Sequence, residues 1–403
     1  MEVLSPDGEE SSVSWIVIGG GVHGTAISIA LRAAGVSAPE ILVIDPHAVA
    51  FSEFARLCMQ TGMEFMRSPA EHHLDRDPDS LRRFAEEIRS RRPVWSSLGN
   101  PSCDIWLRHS AKVVREAGAS QLRRKGEVTD VRPTGSGYEV ETTNGRFFGR
   151  NLVVAPGIGY GPNWPWWARH LMQLKPAPQV FHAFDQGVVK RMRVPSRAPI
   201  VIGGGITAAQ LALRYAELRR PDSPPVTLIS YHPLRASEFD CDTVWMNADQ
   251  LSGFRTERCF ERRRSVVDAS KVRGTVTPEV HRQLEEAVGR GAIRILIARI
   301  MAAAVDAQNE IVLTLSDDSK CCGDVVALAT GFAHQHRSSN LLAMLQRELQ
   351  LPCNSHGDPI VGPNLSWGRS GLFVAGALAE LELGPFAGNI IGARWASERI
   401  VGV

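Results

Sequence analysis

The sequence predicts an α/β protein built from two parallel-sheet units, and three observations carry that prediction. A glycine-rich turn, Gly19 to Gly24, lies between an apolar strand and an apolar helix; a second such turn, Gly203 to Ala208, recurs far downstream; and the chain is 403 residues long. One domain usually takes roughly 100–200 residues, so this length implies about two. Hydrophobic residues make up 44% and charged residues 22%, which supports a large buried core and excludes a disordered chain. The 45 basic and 43 acidic side chains leave a formal charge of +2, too little for the phosphate-facing field that nucleic-acid binding needs.

The first unit begins with a buried strand from Val13 to Ile18, followed at once by Gly19-Gly20-Gly21-Val22-His23-Gly24 and an apolar helix. Each glycine is there for a physical reason: Gly19 makes the tight turn, Gly21 lets the backbone approach a pyrophosphate, and Gly24 lets helix and strand pack closely. The N–H groups at the helix start then face the anion. A second strand, Ile41 to Ile44, ends in Asp45, about 20 residues past the last glycine, where an acid accepts hydrogen bonds from an adenosine ribose. This pairing reads as a site for FAD or NAD.

The second unit repeats the pattern. Ala198 to Ile202 runs into Gly203-Gly204-Gly205-Ile206-Thr207-Ala208, with Ala208 in the third glycine's place, as the fingerprint permits. Its second strand, Val226 to Ile229, ends in Ser230-Tyr231-His232 without a carboxylate, and Arg235 follows. An acid would repel a 2′-phosphate and an arginine attracts it, so the site reads as one for NADPH. Arg235 also reads as an ordinary solvated side chain. Two dinucleotide folds exceed what a simple dehydrogenase needs, and a bound flavin with a nicotinamide reductant accounts for both.

Between and after these units the chain supplies further strands. Glu127 to Val131 and Tyr138 to Thr142 form a meander, and Leu152 to Ala155 runs into Pro156-Gly157. Asp324 to Leu328 runs into Ala329-Thr330-Gly331, and is read as the return to the first unit. The expected division is an FAD-binding domain of residues 1–160 and 325–403, with an NADPH-binding domain of residues 161–324 inserted. Near the end, Leu372 to Ala375 leads to Gly376, then Gly384-Pro385, and Asn389 opens the last helix. A strand followed by a helix start beside the nucleotide site suits the polar edge of a flavin ring, although a closing unit without ligand has the same pattern.

Seven cysteines, an odd set without an export signal, argue against a disulfide framework; the lack of a Cys-x-x-Cys pair argues against a thioredoxin-reductase type dithiol, and the vicinal Cys321-Cys322, which could do similar work, reads as ordinary sequence near a turn. The polar, acidic first residues do not read as a secretory signal, and no apolar run reaches the ~18–20 residues that span a bilayer. A soluble cytoplasmic protein, free to form homo-oligomers, is the expectation. His334-x-His336 lacks a third partner for a metal; His72-His73 reads equally as site lining or as packing. Trp164-Pro165-Trp166-Trp167 could cover a flavin or an apolar substrate but reads first as core or domain interface, and the basic stretch from Arg255 to Arg273, interleaved with Glu257, Glu261 and Asp268, as a solvated face.

Taken in order, the motifs at Gly19 to Gly24 with Asp45, Gly203 to Ala208, Ala329-Thr330-Gly331 and Gly376 onward resemble the two-dinucleotide-binding-domain flavoproteins over nearly the whole chain. Within them the chain is most similar to the flavin-containing and N-hydroxylating monooxygenases of ornithine and lysine type. Met59-Gln60-Thr61 resembles the Met-Gln pair beside their flavin and nicotinamide, and Val180-Phe181-His182 resembles the tail of their signature. Three positions depart from the pattern: Leu174-Lys175-Pro176-Ala177-Pro178 replaces the signature's start, Phe65 stands where ornithine enzymes carry a lysine, and Gly376-Ala377 replaces Gly-Asp.

The resemblance implies bound FAD, NADPH as reductant, O2 as co-substrate and a small molecule oxygenated through a flavin C4a-hydroperoxide, with Gln60 and His182 in the catalytic site. Such chemistry needs no triad or metal. A substrate less cationic than ornithine is expected from Phe65. Two rival readings are an NADPH-dependent reductase of disulfide-reductase type lacking its own dithiol, and a non-catalytic flavin-binding sensor.

Overall fold

The computed structural model describes residues 12–88, 93–157, 161–192, 196–220, 222–332 and 340–402. In β1 (Ser12–Ile18), Ile16, Val17 and Ile18 are all buried, because a parallel strand covered on both faces takes an unbroken apolar run. The glycine turn leads into α1 (Val22–Ala33), and β2 (Ile41–Asp45) returns parallel to β1. Then come α2 (Ser52–Thr61), α3 (Ser80–Glu87) and α4 (Cys103–Glu116), the last capped by Ser102, whose hydroxyl accepts from the Ile105 N–H. β3 (Arg123–Lys125) adds to β2, and β4 (Val128–Pro133), β5 (Tyr138–Thr142) and β6 (Gly145–Val154) form the expected antiparallel meander. β6 is long enough for its first half to pair with β5 and its second half with β1, which joins meander and parallel strands in one sheet.

The second unit starts with α5 (Trp166–Leu171), β7 (Val180–His182) and α6 (Val188–Met192), then repeats strand, turn, helix and strand as β8 (Pro199–Ile202), α7 (Ile206–Leu218) and β9 (Val226–Ser230). An excursion follows through β10 (Arg235–Ala236), α8 (Ala248–Thr256), α9 (Phe260–Ser270) and β11 (Thr275–Val276). α10 (Pro278–Gly289) and β12 (Ile293–Ile297) resume the main sheet. The antiparallel β13 (Ile300–Val305), β14 (Ile311–Leu315) and β15 (Lys320–Gly323) precede β16 (Val325–Leu328). The parallel sheet has the order β12-β9-β8-β16-β7.

This order corrects one expectation. β16 does not return to the first unit: Val326 pairs with both Ile200 of β8 and Val180 of β7, so the strand lies inside the second sheet and the boundary falls beyond Gly331, not at residue 325. The chain is back in the first unit by α11 (Asn340–Leu349), whose Leu342, Leu345 and Leu349 join that unit's core. β17 (Leu372–Val374) pairs with β6, and α12 (Glu380–Leu383) and α13 (Ile390–Val401) close the fold, α13 lying along α1.

The basic stretch is also not a solvated face. Arg263 donates to Glu382 at 3.1 Å and Arg264 to Glu380 at 2.9 Å, all four side chains being nearly buried. Arg255 adds a contact to Glu382 at 3.0 Å, and Lys271 pairs with Glu380. Trp245, Leu251, Phe254 and Val267 of the same excursion pack on Phe386. The excursion therefore clamps the C-terminal segment that follows Gly376. No helix among the described residues is long and apolar enough to cross a membrane.

Candidate cofactor and active sites

The first glycine turn is shaped by its packing. Gly19 has φ +95°, and a Cβ there would lie 2.1 Å from the Ala155 carbonyl oxygen. Gly24 is equally closed in by the Gly19 carbonyl, whereas a Cβ on Gly21 would meet nothing within 4 Å. The turn thus presents one open, exposed face at the start of α1, which fits a dinucleotide pyrophosphate. Asp45 is held ready beside it: Oδ2 accepts from the Gly20 N–H and Oδ1 from the His47 N–H, both at 2.7 Å.

Two residues of this site escaped the sequence reading. Arg123 of β3 lies over the turn, donating to the Gly20 carbonyl at 3.0 Å and the His47 carbonyl at 3.2 Å, with Nη2 3.6 Å from Asp45. His23 donates through Nε2 to the Ala387 carbonyl at 2.9 Å, tying α1 to the C-terminal turn. Burial draws its pKa down to about 4, so it is neutral near pH 7. Gly376, at φ +74°, lies against this ring, the Cβ position being 3.7 Å away. Pro385 is buried in the same turn, and half-buried Asn389 precedes α13 with no capping bond from its side chain. The structure therefore gathers Gly21, Asp45, Gly376 and Asn389 from both ends of the chain into one unit.

The second turn opens on a cavity of about 820 Å³ lined by Gly203, Gly205, Ala329, Thr330 and Gly331. Gly203 carries φ +153° with the Ala329 carbonyl 2.4 Å from its Cβ position, and the Ala208 methyl lies under the turn at 3.0 Å. His232 packs between Gly204 and Gly274. Arg235 does not line this cavity; it is exposed on β10, whose short pairing with β11 carries the residue off to the side. The cations that do line it are Arg67, Lys271, Arg273 and Arg299. Lys271 is engaged by Glu380, and Arg67 crosses from the first unit to donate to the carbonyls of Glu238 (2.6 Å) and Ser237 (3.0 Å) and to Thr275 Oγ1 (2.8 Å). Burial lowers the Arg67 pKa, with Asp240 opposing.

Gln60 and His182 meet where the units join, but both are engaged by protein groups. Gln60 Nε2 donates to the carbonyls of Ala183 at 3.0 Å and Asp185 at 2.9 Å, and Arg56 donates to Oε1. His182 is fully buried: Nδ1 accepts from the Phe184 N–H at 3.2 Å, which leaves the proton on Nε2 to face Thr330 Oγ1 at 3.2 Å. Burial lowers its pKa to about 4. Met59 is 63% exposed, and Phe184 stacks on Phe332 at 4.2 Å.

His73 donates to Pro78 O at 3.1 Å and lies 4.9 Å from the His109 ring, and the carbonyl of His72 accepts from Trp106 at 3.0 Å. Neither histidine lines the nucleotide cavity, and His73 borders a separate cavity of about 440 Å³ beside Arg394. Trp167 is buried and borders the nucleotide cavity, while Trp166 is exposed. His334 and His336 lie outside the described residues.

Two dinucleotide folds sharing one interface define an oxidoreductase architecture in which electrons pass between bound nucleotides. Residues 13–393 match the family of pyridine nucleotide-disulphide oxidoreductases, and the chain belongs to that family. Among solved structures it is similar to an ornithine N-hydroxylase from Kutzneria sp. 744, at 17% identity over 97% of this chain and 98% of that one, with TM-score 0.72. It is similar also to the cadaverine monooxygenase DfoA of Erwinia amylovora, at 13% identity, 97% and 94% coverage and TM-score 0.74. A bacillithiol disulfide reductase from Bacillus cereus matches at 19% identity, 96% and 100% coverage and TM-score 0.59. At such identities the likeness is one of fold. A search of curated proteins gives no match.

Proposed function

We propose that the chain is an FAD-containing, NADPH-dependent monooxygenase that transfers one oxygen atom from O2 to a small organic molecule. The observation that carries this reading is the whole-length agreement of fold with two amine hydroxylases, closer than that with the disulfide reductase. FAD would be held by Gly19, Gly21 and Gly24, by Asp45 at the ribose, and by Gly376, Pro385 and Asn389 near the ring, where it would supply electron transfer and oxygen activation. NADPH would be held by Gly203, Gly205 and Ala208, with Ala329, Thr330 and Gly331 as the facing wall.

The chain's own part is to position and to exclude water. Gln60 and Met59 are at the seam between the sites, and Gln60 acts as a positioning residue through its bonds to the second unit. His182, neutral and buried, holds Thr330 Oγ1, which donates in turn to the Asn163 carbonyl at 2.5 Å and so fixes the wall beside the nicotinamide nucleotide. Arg299 is the preferred 2′-phosphate partner: it lines the cavity just past β12, next to the end of β9, and no hydrogen bond or ion pair among the described residues engages its side chain. An odd set of seven cysteines suits a reducing, cytoplasmic setting.

The test is oxygen uptake with NADPH against a panel of small amines, thioethers and ketones. Stimulation of both oxygen and NADPH consumption by one compound, with an oxygenated product, bears the proposal out. Anaerobic, NADPH-driven reduction of a low-molecular-weight disulfide, with no oxygenated product, refutes it.

A further inference from the structure

Asp45 and Arg123 grip the same two residues from opposite sides. Asp45 Oδ2 accepts from the Gly20 N–H and Oδ1 from the His47 N–H, both at 2.7 Å. Arg123 Nη1 donates to the Gly20 carbonyl at 3.0 Å and Nη2 to the His47 carbonyl at 3.2 Å, so the backbone on both sides of the carboxylate is tied to one guanidinium. Nη2 also lies 3.6 Å from Asp45 Oδ1, and among the described residues no other acid pairs with Arg123. The two side chains are only 6% and 14% exposed, which removes the pair from most of the screening in bulk solvent.

Sequence and register make room for this clamp. β3 runs parallel to β2 and sets Arg123 opposite Val43, two residues short of Asp45, so a long side chain is needed to reach the turn. Gly20 supplies the seat: a Cβ there would lie 2.1 Å from Nη1 and 2.5 Å from Cζ, so a larger residue displaces the guanidinium. At the equivalent Gly204 of the second unit the seat is taken by Ser230 and His232, and the strand there ends without a carboxylate. The clamp thus distinguishes the first turn from the second. The Arg123 Nε is buried without a partner, a cost that native structures rarely carry without some use. Burial lowers the pKa of this guanidinium, with Asp45 opposing.

We infer that Arg123 is a positioning residue for FAD: by fixing the backbone on both sides of Asp45, it sets how tightly the carboxylate holds the adenosine ribose. A carboxylate has about four lone-pair positions, and the two backbone N–H groups take one on each oxygen. Those left accept from the ribose hydroxyls only while the carboxylate keeps one orientation, which the guanidinium enforces. This role rests on Asp45 being the ribose partner proposed above.

The experiment takes the full-length protein freed of flavin and titrates it, by flavin fluorescence, with FAD and with the FAD analogue whose adenosine lacks its 2′-hydroxyl. Wild type is expected to bind FAD about ten- to a hundredfold tighter than the analogue, the strength of one hydrogen bond to a charged group. Arg123→Met is expected to lose about tenfold of that preference, FAD weakening while the analogue binds nearly as before. Asp45→Asn should lose the preference too, and adding Arg123→Met to it should weaken FAD little further, because both act through one carboxylate. Equal weakening toward both flavins with the preference intact, which is what a merely structural role produces, overturns the inference, as does unchanged affinity. Wild type that binds FAD and the analogue alike, or neither, removes the reading of Asp45 as ribose partner, and the inference falls with it. Should Arg123→Met fail to fold, Arg123→Lys, which keeps the charge but lacks the planar fork that spans both carbonyls, decides by the same preference.

Discussion

The side-chain amide of Gln60, on α2 of the first unit, donates at 2.9 Å to the main-chain carbonyl of Asp185 in the second. Its other N–H goes to Ala183, and its carbonyl oxygen accepts from Arg56, which itself donates to the carbonyl of Phe184 at 3.2 Å. From the other side, Arg214 of α7 donates to the Met59 carbonyl at 2.7 Å. The Met-Gln pair is thus the hinge pin between the nucleotide units, and its amide is spent on protein, not left for a cofactor.

Replacing Gln60 by alanine leaves the buried Ala183 carbonyl without a donor and Asp185 with only Arg56, a cost of about 1–3 kcal/mol that loosens the seam without unfolding either core. The expected outcome is retained FAD with a larger share of NADPH electrons appearing as hydrogen peroxide. Peroxide released per NADPH consumed, compared between wild type and Gln60→Ala with substrate present, is the check; an unchanged ratio and product yield would assign the amide to packing alone.

Cofactor preference separates Arg299 from Arg235. A charge-assisted bond to phosphate is worth roughly 1.5–3 kcal/mol, so Arg299→Ala should raise the NADPH Michaelis constant about ten- to a hundredfold and leave NADH nearly unaffected. Arg235→Ala, outside the cavity, should change neither. Equal loss with both cofactors in Arg299→Ala, or a selective loss in Arg235→Ala, goes against this placement.

Several parts of this architecture were legible in the sequence because they are local. The glycine turns, the Asp45 strand end and the apolar parallel strands announce themselves within short windows, and the C-terminal Gly376 to Asn389 segment follows the same grammar. What was not legible depends on distant partners. The strand from Val325 to Leu328 is apolar whichever sheet it joins, so its pattern carries no address. Arg263 and Arg264 look solvated because acids stand nearby in sequence, yet their buried partners are Glu380 and Glu382, more than a hundred residues away. Arg123 and Arg67 reach the sites from elements whose placement only the tertiary fold decides, and His23, inside the first glycine motif, finds its partner Ala387 at the far end of the chain.

Breaking the clamp on the C-terminal segment should be costly. Glu382→Gln leaves Arg263 buried beside a neutral amide, and loss of one partner of a buried pair typically costs about 3–5 kcal/mol. The expected outcome is a clearly lower melting temperature and weaker retention of FAD, measured by thermal unfolding and by flavin released on dilution. Glu71→Gln, which breaks an exposed pair with Arg82, serves as the control and should have little effect.

Acid should destabilise the protein through its neutral histidines. His23, His109 and His182 each have pKa lowered by burial from 6.5 to about 4. Between those values the unfolded chain binds protons that the folded one refuses, so stability is full above pH 6.5 and declines as pH falls toward about 4. Melting temperature against pH should show this slope, and His182→Gln, which cannot titrate, should have a shallower one. A slope identical to wild type would mean that His182 is protonated in the folded protein.

Oxygen transfer from O2 at a site assembled by two nucleotide folds is tested most directly by following the oxygen itself. The FAD-loaded protein is turned over with NADPH and the stimulating substrate under isotopically labelled O2, and the product is weighed by mass spectrometry. The expected result is one labelled oxygen atom in each product molecule; a product without label, or reduction of substrate that proceeds equally well without O2, would contradict it.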